Sequence, residues 1–182
     1  MRKSVKSGTK YPVILVIRFS SLGDIALMLP MLRELRRGYP GGEIHLATKS
    51  QYSGLFEGNL DIDFMHSLPD NTLASSLKLF RELVKIDFDM VIDAHGVLRS
   101  VLISTFLSAG KKVRIDKEQL KKTLLIKGSV NYYKDIHTQA ERYLDLAARS
   151  GVALSGEHRL IDIPRAADIR AGALLAEAGI ED

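Results

Sequence analysis

Hydrophobic and polar positions change period abruptly near the start of the chain. Val13 to Ile17 form an unbroken apolar run, which is typical of a strand covered on both faces in a parallel sheet. A polar turn, SSLGD at 20–24, follows it. Apolar residues then recur at helical spacing, at Ile25, Met28, Leu29, Leu32 and Leu35. The pattern predicts a buried strand, a tight turn and a helix, and α/β proteins place their ligands at such joints.

The same alternation of strand and helix patterns continues along the chain. It predicts strands at 43–48, 63–68, 90–92, 112–115 and 160–163, and helices at 73–86, 97–107, 135–150 and from Pro164 to a C-cap at Gly179. A loop and short helix are expected at 49–57, whereas 120–133 fits no clear pattern. Pro30 is expected to kink the first helix or restart it. The apolar face of helix 73–86 is expected at Leu77, Phe80, Leu83 and Val84. The alternation argues for an α/β fold with a parallel sheet and helices on both faces.

The first turn carries a carboxylate that has two interpretations. Ser21 as N-cap with Asp24 three residues later resembles a capping box, and the positive end of the helix dipole favours the charge. Alternatively, Asp24 faces the crevice as a general base, while the serine hydroxyls and turn amides hold a polar substrate. The residues alone leave both interpretations open.

A second strand-end turn, DAHG at 93–96, carries Asp93 and His95, with Arg99 one helical turn later. Asp93 could be an N-cap and His95 a structural residue. The functional alternative is that this turn opens onto the same crevice as the first. Arg99 would then bind a carboxylate or phosphate, since its planar guanidinium forms bidentate contacts with such groups.

Composition excludes several classes of protein. The chain has 182 residues and no cysteine, so it has neither a disulfide framework nor a thiolate metal site. The turn SSLGD lacks the GxGxxG pattern of nicotinamide sites, and neither a Walker sequence nor a set of metal ligands is present. We therefore expect no cofactor and no metal. The apolar run after the basic start is too short for a signal peptide, which favours a cytoplasmic location.

The net charge of +4 is concentrated in one segment, 111–135, which has eight basic and three acidic side chains. The segment could be ordinary solvated surface, or it could attract an anionic partner. Tyr132 and Tyr133 could stack on bases, but no nucleic-acid-binding fold signature accompanies them. We therefore expect no nucleic-acid partner.

The sequence VIRFSSLGDIALMLPMLRELRRGYP at 16–40 closely resembles the opening of the family 9 glycosyltransferases, the ADP-heptose:lipopolysaccharide heptosyltransferases. Two later blocks, DMVIDAHGVLRS at 89–100 and HTQAERYLDLAARSGV at 137–152, agree with that family and follow in its order. The resemblance covers nearly the whole chain but only the amino-terminal half of such an enzyme. It implies a Rossmann-like domain, the first half of a GT-B type glycosyltransferase.

The resemblance also assigns roles to residues. Asp24 matches the proposed catalytic base of the family. The acceptor contacts that it implies are Ser20, Ser21, Gly23, Asp93, His95, Arg99 and Arg142. The sequence departs from the family at two places: His95 stands where glutamine is common, and Lys49-Ser50 where acidic residues are common. Both departures bear on the identity of the acceptor.

The implied activity is transfer of heptose from ADP-heptose to the lipopolysaccharide inner core, with inversion and without metal. In domain terms, 1–12 is a loose tail, 13–163 the acceptor-binding domain, and 164–182 a helix leading to a carboxyl-terminal donor domain. The 182 residues alone are expected to be inactive. Segment 111–135 would contact the inner face of the inner membrane peripherally. The alternatives are a non-catalytic carbohydrate- or partner-binding module and, less favoured, an anion- or nucleic-acid-binding protein.

Overall fold

Five parallel strands form the sheet of this protein, as a computed structural model describes it for residues 11–116, 138–156, 165–177 and 179. The strands are β1 (Val13–Ile17), β2 (Glu43–Lys49), β3 (Phe64–Leu68), β4 (Phe88–Asp93) and β5 (Ala109–Arg114). Their spatial order is β3-β2-β1-β4-β5. The chain therefore builds one side of the sheet outward from β1 and then crosses back to add β4 on the other side. The carboxyl ends of β1 and β4 flank this change of direction, which is where doubly wound sheets bind ligands.

Helices cover both faces of the sheet. These helices are α1 (Leu22–Gly38), α2 (Leu73–Leu83), α3 (Leu98–Phe106) and α4 (Gln139–Ser150). A 3-10 helix lies at Ser50–Phe56, and a further helix, α5 (Arg165–Glu177), is exposed at 169–177 and belongs to neither core cluster. One core cluster joins α1 and α4 to alternate strand residues such as Ile14 and Val16. The other joins α2 and α3 to the intervening residues, such as Leu15 and Ile17. Because β1 is buried on both faces, its sequence is a continuous apolar run. The predicted α/β architecture is confirmed.

Two details of the helices differ from the sequence expectations. Helix α1 runs unbroken through Pro30, so the expected restart there is wrong. The buried face of α2 consists of Ser76, Leu79 and Leu83, whereas the expected face residues Leu77 and Val84 are exposed. The other two expected face residues are on the core side: Leu83 is buried and Phe80 packs against the same cluster. The 3.6-residue period therefore identified the helix correctly and its buried face in part.

The remaining element boundaries move by a few residues. Helix α3 ends at Phe106, and β5 begins at Ala109 rather than at 112. Helix α4 begins after Thr138, whose side chain accepts a hydrogen bond from the Glu141 N–H. Gly179 has a positive φ of 67° and donates its N–H to Ala176 O, as expected of a residue ending a helix. The assignments at 120–133 and 160–163, the tail at 1–10 and the start of the helix predicted at 135–150 lie outside the described residues.

Candidate functional site

A polar pocket opens at the carboxyl edge of the sheet, beside the change of direction between β1 and β4. Its volume is about 290 Å³. The lining residues are Phe19, Ser20, Lys49, Asn71, His95, Val97 and Arg99. They come from the ends of β1, β2 and β4 and from the loop before α2. The structure thus brings three of the sequence-predicted site residues, Ser20, His95 and Arg99, to one concave surface.

Ser20 and His95 connect the two strand-end turns directly. Ser20 Oγ lies 3.3 Å from His95 Nε2, at hydrogen-bond distance. The imidazole also packs edge-on against Phe19, with the ring centroids 5.9 Å apart. His95 is mostly buried, so these contacts hold its ring in place at the pocket wall. His95 lies in a turn and not in a strand, but these contacts allow it to present a polar group to a ligand from a fixed position.

Asp24 lies in the first turn of α1, three residues after Ser21 and four after Ser20, which lines the pocket. Its Oδ2 accepts hydrogen bonds from Ser21 N–H at 3.3 Å and from Ser21 Oγ at 2.9 Å. The same oxygen forms an ion pair with Arg18 Nη2 at 2.5 Å. The carboxylate remains 33% exposed, so a ligand in the crevice can reach it. Asp24 is therefore both a helix-capping group and a partly exposed carboxylate.

The electrostatic environment keeps Asp24 ionised. Partial burial raises the pKa of this carboxyl group, but the Ser21 hydrogen bonds and the positive charge of Arg18 outweigh it, so the pKa lies below its ordinary value. Asp24 is consequently a carboxylate at neutral pH and can accept a proton. Its lowered pKa makes it a weaker base than a free carboxylate, so its contribution depends on placement.

Arg18 is a buried cation that the sequence interpretation did not assign to the site. Its Nη1 donates to Ala94 O at 2.8 Å, and its guanidinium lies 5.7 Å from the centre of the Tyr143 ring. Arg18 thus links the ends of β1 and β4 to α4 and to the Asp24 carboxylate. The sequence did contain a signal for this role. Arg18 directly follows an apolar strand that is expected to be buried, and a charged side chain at such a position needs a partner.

Asp93 shapes the second turn from within. It is buried, and its Oδ1 accepts the N–H groups of His95 and Gly96 at 3.1 and 2.8 Å. Its Oδ2 pairs with Arg114 Nε at 3.2 Å. Gly96 has a φ of 60°, a conformation that favours glycine. These contacts occupy both carboxylate oxygens, so Asp93 fixes the turn that carries His95.

Gly23 differs from Gly96 because the fold does not require a glycine there. Its φ is not in the left-handed region, and a Cβ added to it would meet nothing within 4 Å. Gly23 also lies in the exposed first turn of α1, where alanine is the better helix former. The open space beside this residue belongs to the same end of the sheet as the pocket.

The two predicted arginines lie in different places. Arg99 donates from Nη1 to Asn71 Oδ1 at 3.0 Å and from Nη2 to Asn71 O at 2.5 Å, which fixes it at the pocket rim. Arg142 lies on α4, where its Nη1 contacts Asp116 O at 3.4 Å, and it is not among the residues that line the pocket. Lys49, which the resemblance connected with the identity of the acceptor, lines the pocket. Asn71 also lines it and was not predicted, because its proximity follows only from the folded chain.

Within the described residues, no group of three or more histidine, cysteine, aspartate or glutamate side chains could hold a metal ion. None of the described helices combines the length and the hydropathy that a membrane span requires.

Comparisons with solved structures define the class of fold first. The chain is similar to the glycosyl transferase family 9 protein of Veillonella parvula, with a TM-score of 0.65, 21% identity, and coverage of 94% of this chain and 51% of that one. It is also similar to Escherichia coli heptosyltransferase WaaC, solved with ADP-2-deoxy-2-fluoro heptose. That TM-score is 0.61 at 22% identity, with coverage of 80% of this chain and 50% of that one. These similarities show that the α/β domain has the Rossmann-like fold of such transferases.

Sequence comparison then gives the family. The model of glycosyltransferase family 9 (heptosyltransferase) matches residues 76–168, about half of the chain. The chain therefore belongs to glycosyltransferase family 9. It is 30% identical over 112 residues to lipopolysaccharide heptosyltransferase 1 of Campylobacter coli, which covers 60% of this chain and 32% of that protein. The chain thus spans about a third of this curated relative and about half of the solved structures. The predicted family is confirmed.

Proposed function

We propose that this chain supplies the acceptor-binding half of an inverting glycosyltransferase that moves heptose from ADP-heptose to the lipopolysaccharide inner core, with Asp24 as general base. One observation carries the proposal: an ionised, partly exposed carboxylate, Asp24, lies in the first turn of α1, four residues after Ser20. Ser20 lines a polar pocket at the switch point of a Rossmann-like sheet, although Asp24 is not itself a lining residue. Family membership and the WaaC complex with an ADP-heptose analogue support the choice of donor.

The chemistry assigned to Asp24 is a single proton transfer coupled to substitution. An acceptor hydroxyl gives its proton to Oδ1 or Oδ2 as its oxygen bonds to the anomeric carbon. The bond from that carbon to the diphosphate breaks on the opposite face, and ADP leaves with the electron pair. The hydroxyl becomes more acidic as its oxygen attacks, so a carboxylate with a lowered pKa can still take the proton. Attack opposite the leaving group inverts the sugar configuration.

The polar pocket would hold the acceptor sugar. Ser20 and His95 offer hydrogen bonds at its wall, whereas Lys49 and Arg99 offer positive charge at its rim. These groups suit a sugar acid or a phosphorylated sugar, since a planar guanidinium binds carboxylate or phosphate with two parallel hydrogen bonds. A cationic Lys49 at this position favours an anionic acceptor.

The other predicted residues have different proposed parts. Ser21 would orient Asp24 through its two hydrogen bonds, and Gly23 would let the acceptor approach the start of α1. Asp93 would act as a positioning residue through the turn that carries His95. Arg142, on α4, would meet the acceptor or the donor from the side of Asp116.

The setting of the reaction is also part of the proposal. The enzyme would work in the cytoplasm, at the inner face of the inner membrane, without a metal or cofactor and without a nucleic-acid partner. Segment 111–135, with eight basic and three acidic side chains, would attract the anionic acceptor and lipid surface. Division of the chain at 1–12, 13–163 and 164–182 remains a prediction.

The decisive test is Asp24→Asn in the intact protein, assayed with ADP-heptose and a core acceptor. We expect a loss of turnover of about 10²–10⁴-fold, the usual contribution of a general base. Some stability is also expected to be lost, since Arg18 is buried and loses its carboxylate partner. Activity should therefore be measured well below the thermal midpoint of the variant.

A matched control is Glu34→Gln, which removes another carboxylate from the same helix. Glu34 is buried near the other end of α1, and its contacts are with Arg37 and Ser155. We expect this variant to lose stability but to keep turnover within a few-fold of the parent. If Asp24→Asn retains more than about a tenth of the activity, Asp24 is not the base.

A further inference from the structure

Among the described residues that line the polar pocket, His95 alone is of a type that changes charge near neutral pH. It shares the pocket with Ser20, Lys49 and Arg99, where the turn after β4 faces the turn after β1. The ordinary titration of histidine falls between about pH 5 and pH 8. The charge that the pocket presents to a ligand therefore depends on the protonation of this ring.

The His95 ring is held at the pocket wall. Its side chain is buried, and Phe19 packs edge-on against it. Asp93 Oδ1 accepts the main-chain N–H of His95 at 3.1 Å, and Ser20 Oγ lies 3.3 Å from Nε2. Because these contacts fix the ring, a proton added to it places a positive charge at one defined point of the wall.

Protonation of His95 also changes what Ser20 offers to a ligand. The imidazolium carries hydrogen on both nitrogens, so Nε2 donates and Ser20 Oγ accepts at their 3.3 Å contact. The serine hydroxyl proton is then free to point at a molecule in the pocket. One proton thus supplies a positive charge and a hydrogen-bond donor, and both suit an anion.

Two cations share the pocket with His95 and oppose its protonation. Lys49 is at the end of β2, and Arg99 is in the first turn of α3. The hydrogen-bond acceptors of Arg99, Asn71 Oδ1 and Asn71 O, are neutral. An anion bound beside these cations would offset the like-charge repulsion, so the occupied pocket should accept a proton more readily than the empty one.

The carboxylates around the pocket already have cationic partners. Asp93, in the same turn as His95, pairs with Arg114, and Asp24 pairs with Arg18. Asp70 is exposed and lies near Arg99, whose charge contributes to lowering the pKa of that carboxyl group. A protonated His95 would thus be best compensated by a carboxylate or phosphate that the ligand itself brings.

From this arrangement we propose that His95 is a proton-linked specificity residue, so that the pocket binds an oxyanion group more tightly when the His95 ring is protonated. Identification of that oxyanion with the acceptor sugar rests on the proposed function, whereas the link between anion and proton does not. Linkage is reciprocal: an anion that prefers the imidazolium raises the proton affinity of the ring by the same factor.

The direction of the pH dependence follows from this link. Affinity for the anion is highest below the titration midpoint of His95 in the empty pocket. It falls as pH rises and reaches its lower plateau above the midpoint of His95 in the occupied pocket.

NMR of the full chain, without any change in its sequence, tests the link directly. The chain has five histidines, few enough to follow each ring between about pH 5.5 and pH 8.5, and His95→Gln identifies the His95 signal by its disappearance. The probes are sulfate and glucuronate, whose charges stay constant over this range, with glucose as the neutral control at matched ionic strength. We expect an anion to raise the titration midpoint of His95 by about 0.5–1 pH unit.

His66 is the internal control in the same spectra. It lies on β3, where Nε2 is 2.9 Å from His45 Nδ1, and it does not line the pocket. Its signal should not respond to the anions. A response of His95 to sulfate alone assigns a phosphate-like group to the ligand, a response to glucuronate alone assigns a sugar acid, and either result supports the link.

Anion affinity provides the second measurement, from amide NMR titrations with the responding anion at about pH 6 and about pH 8. The parent should bind three- to tenfold more tightly at the lower pH, by about the factor that the midpoint shift predicts. His95→Gln keeps a polar side chain without a titrating ring, so its affinity should be equally weak at both pH values. His66→Gln is the matched variant and should behave like the parent. If His95→Gln does not fold, the midpoint shift in the parent decides the question alone.

Three results would overturn the proposal. They are a His95 midpoint that neither anion moves, a midpoint that glucose moves as far, and a pH dependence of anion affinity that survives in His95→Gln. None of these measurements uses turnover, so the two proposals fail separately. If Asp24→Asn keeps its activity, the proposed reaction is wrong and the proton link stands; if the His95 signal ignores anions, the link is wrong whatever Asp24 does.

Discussion

At the scale of single residues, the contacts of Asp24 fit both a capping role and the catalytic role that we propose for it. The contacts that cap the start of α1, from Ser21 N–H and Oγ, also fix the carboxylate beside the pocket. Arg18 holds the same oxygen from the buried side. The positioning that makes Asp24 a good cap is therefore the positioning that a general base needs.

Gly23 offers a residue-scale prediction in which stability and activity should change in opposite directions. Gly23→Ala should raise the free energy of unfolding by about 0.5–1 kcal/mol, since alanine loses less backbone entropy in a helix and the new Cβ meets no atom within 4 Å. The same methyl group would occupy space that we assign to the acceptor. We expect a higher KM for the acceptor, measured by transfer kinetics on the intact protein.

The control for this prediction is Gly172→Ala in α5, where an added Cβ also meets open space. That variant should gain stability without any change in kinetics. An unchanged KM in Gly23→Ala would show that no acceptor atom comes close to the first turn of α1.

The sequence could identify Asp24 and Ser21 because both lie in one short turn, at fixed spacing. It singled out Lys49 only through the family resemblance and did not identify Asn71, which reaches the pocket from a separate element. Arg18 was visible in the sequence, but its role depends on the Ala94 carbonyl group and the Tyr143 ring, which lie far along the chain. A short stretch of sequence therefore predicts which chemical groups a turn carries, but it does not predict which distant residues contact them.

At the scale of elements, helix α1 is anchored at both ends. Near its carboxyl end, Glu34 accepts hydrogen bonds from Ser155 N–H at 3.1 Å and from the Ser155 hydroxyl, and it pairs with Arg37 Nη2 at 2.6 Å. Tyr39 Oη donates to Ser150 O at 2.9 Å, which attaches the end of α1 to α4. These contacts attach the carboxyl end of α1 to the end of α4 and to the residues that follow it.

Glu34→Gln should lower the free energy of unfolding at neutral pH by about 1–3 kcal/mol, since the charged acceptor of several hydrogen bonds is lost. Burial raises the pKa of Glu34, but the bonds from Ser155 and the charge of Arg37 outweigh it, and the pKa lies below the ordinary 4.5. The stabilisation is therefore complete above that value and is lost as pH falls through the lowered pKa. Urea unfolding between about pH 7 and pH 3 should show the two proteins converging in acid.

Asp145→Asn is the control for this pH series. Asp145 pairs with Arg149 on the exposed surface of α4, so its replacement should change stability little at any pH. The stated role of the Glu34 carboxylate would be contradicted if Glu34→Gln and the parent differed in free energy of unfolding as much at the acid end of the series as at neutral pH.

Helix α2 shows that the sequence predicted the helix itself better than the face of it that packs on the sheet. Its 3.6-residue period predicted a helix at 73–86, and the structure has one at Leu73–Leu83. Two adjacent apolar stripes satisfy that period equally, and periodicity alone cannot say which of them meets the sheet. Of the four residues expected on the core face, Leu83 is buried and Phe80 packs against the core, whereas Leu77 and Val84 are exposed.

At the scale of the whole molecule, the strand order places the turns SSLGD and DAHG at the same edge of the sheet. Both turns follow buried strands, β1 and β4, which are neighbours in the sheet although they lie far apart in the chain. The alternation of strands and helices predicted a parallel sheet, but it did not give the order β3-β2-β1-β4-β5. Because β4 returns to the open side of β1, SSLGD and DAHG meet at the switch point.

The last prediction concerns the 182 residues taken by themselves. We expect them to fold, since the described helices cover both faces of the sheet and each core cluster combines strand and helix residues. We also expect no sugar transfer, because the resemblance assigns the donor pocket to the other half of the enzyme. Without that pocket nothing places the anomeric carbon against Asp24 or stabilises the departing diphosphate.

Calorimetry and a transfer assay test this expectation on the same preparation. Cooperative thermal unfolding would establish that the 182 residues fold, and molten or aggregated material would contradict the first part. Titration with ADP should show no micromolar binding, and incubation with ADP-heptose and a core acceptor should show no turnover above background. Gly96→Val, which forces a β-branched residue into a left-handed turn with φ of 60°, serves as the misfolded control. Micromolar ADP binding or measurable transfer would place a donor site within these residues and would contradict the expectation.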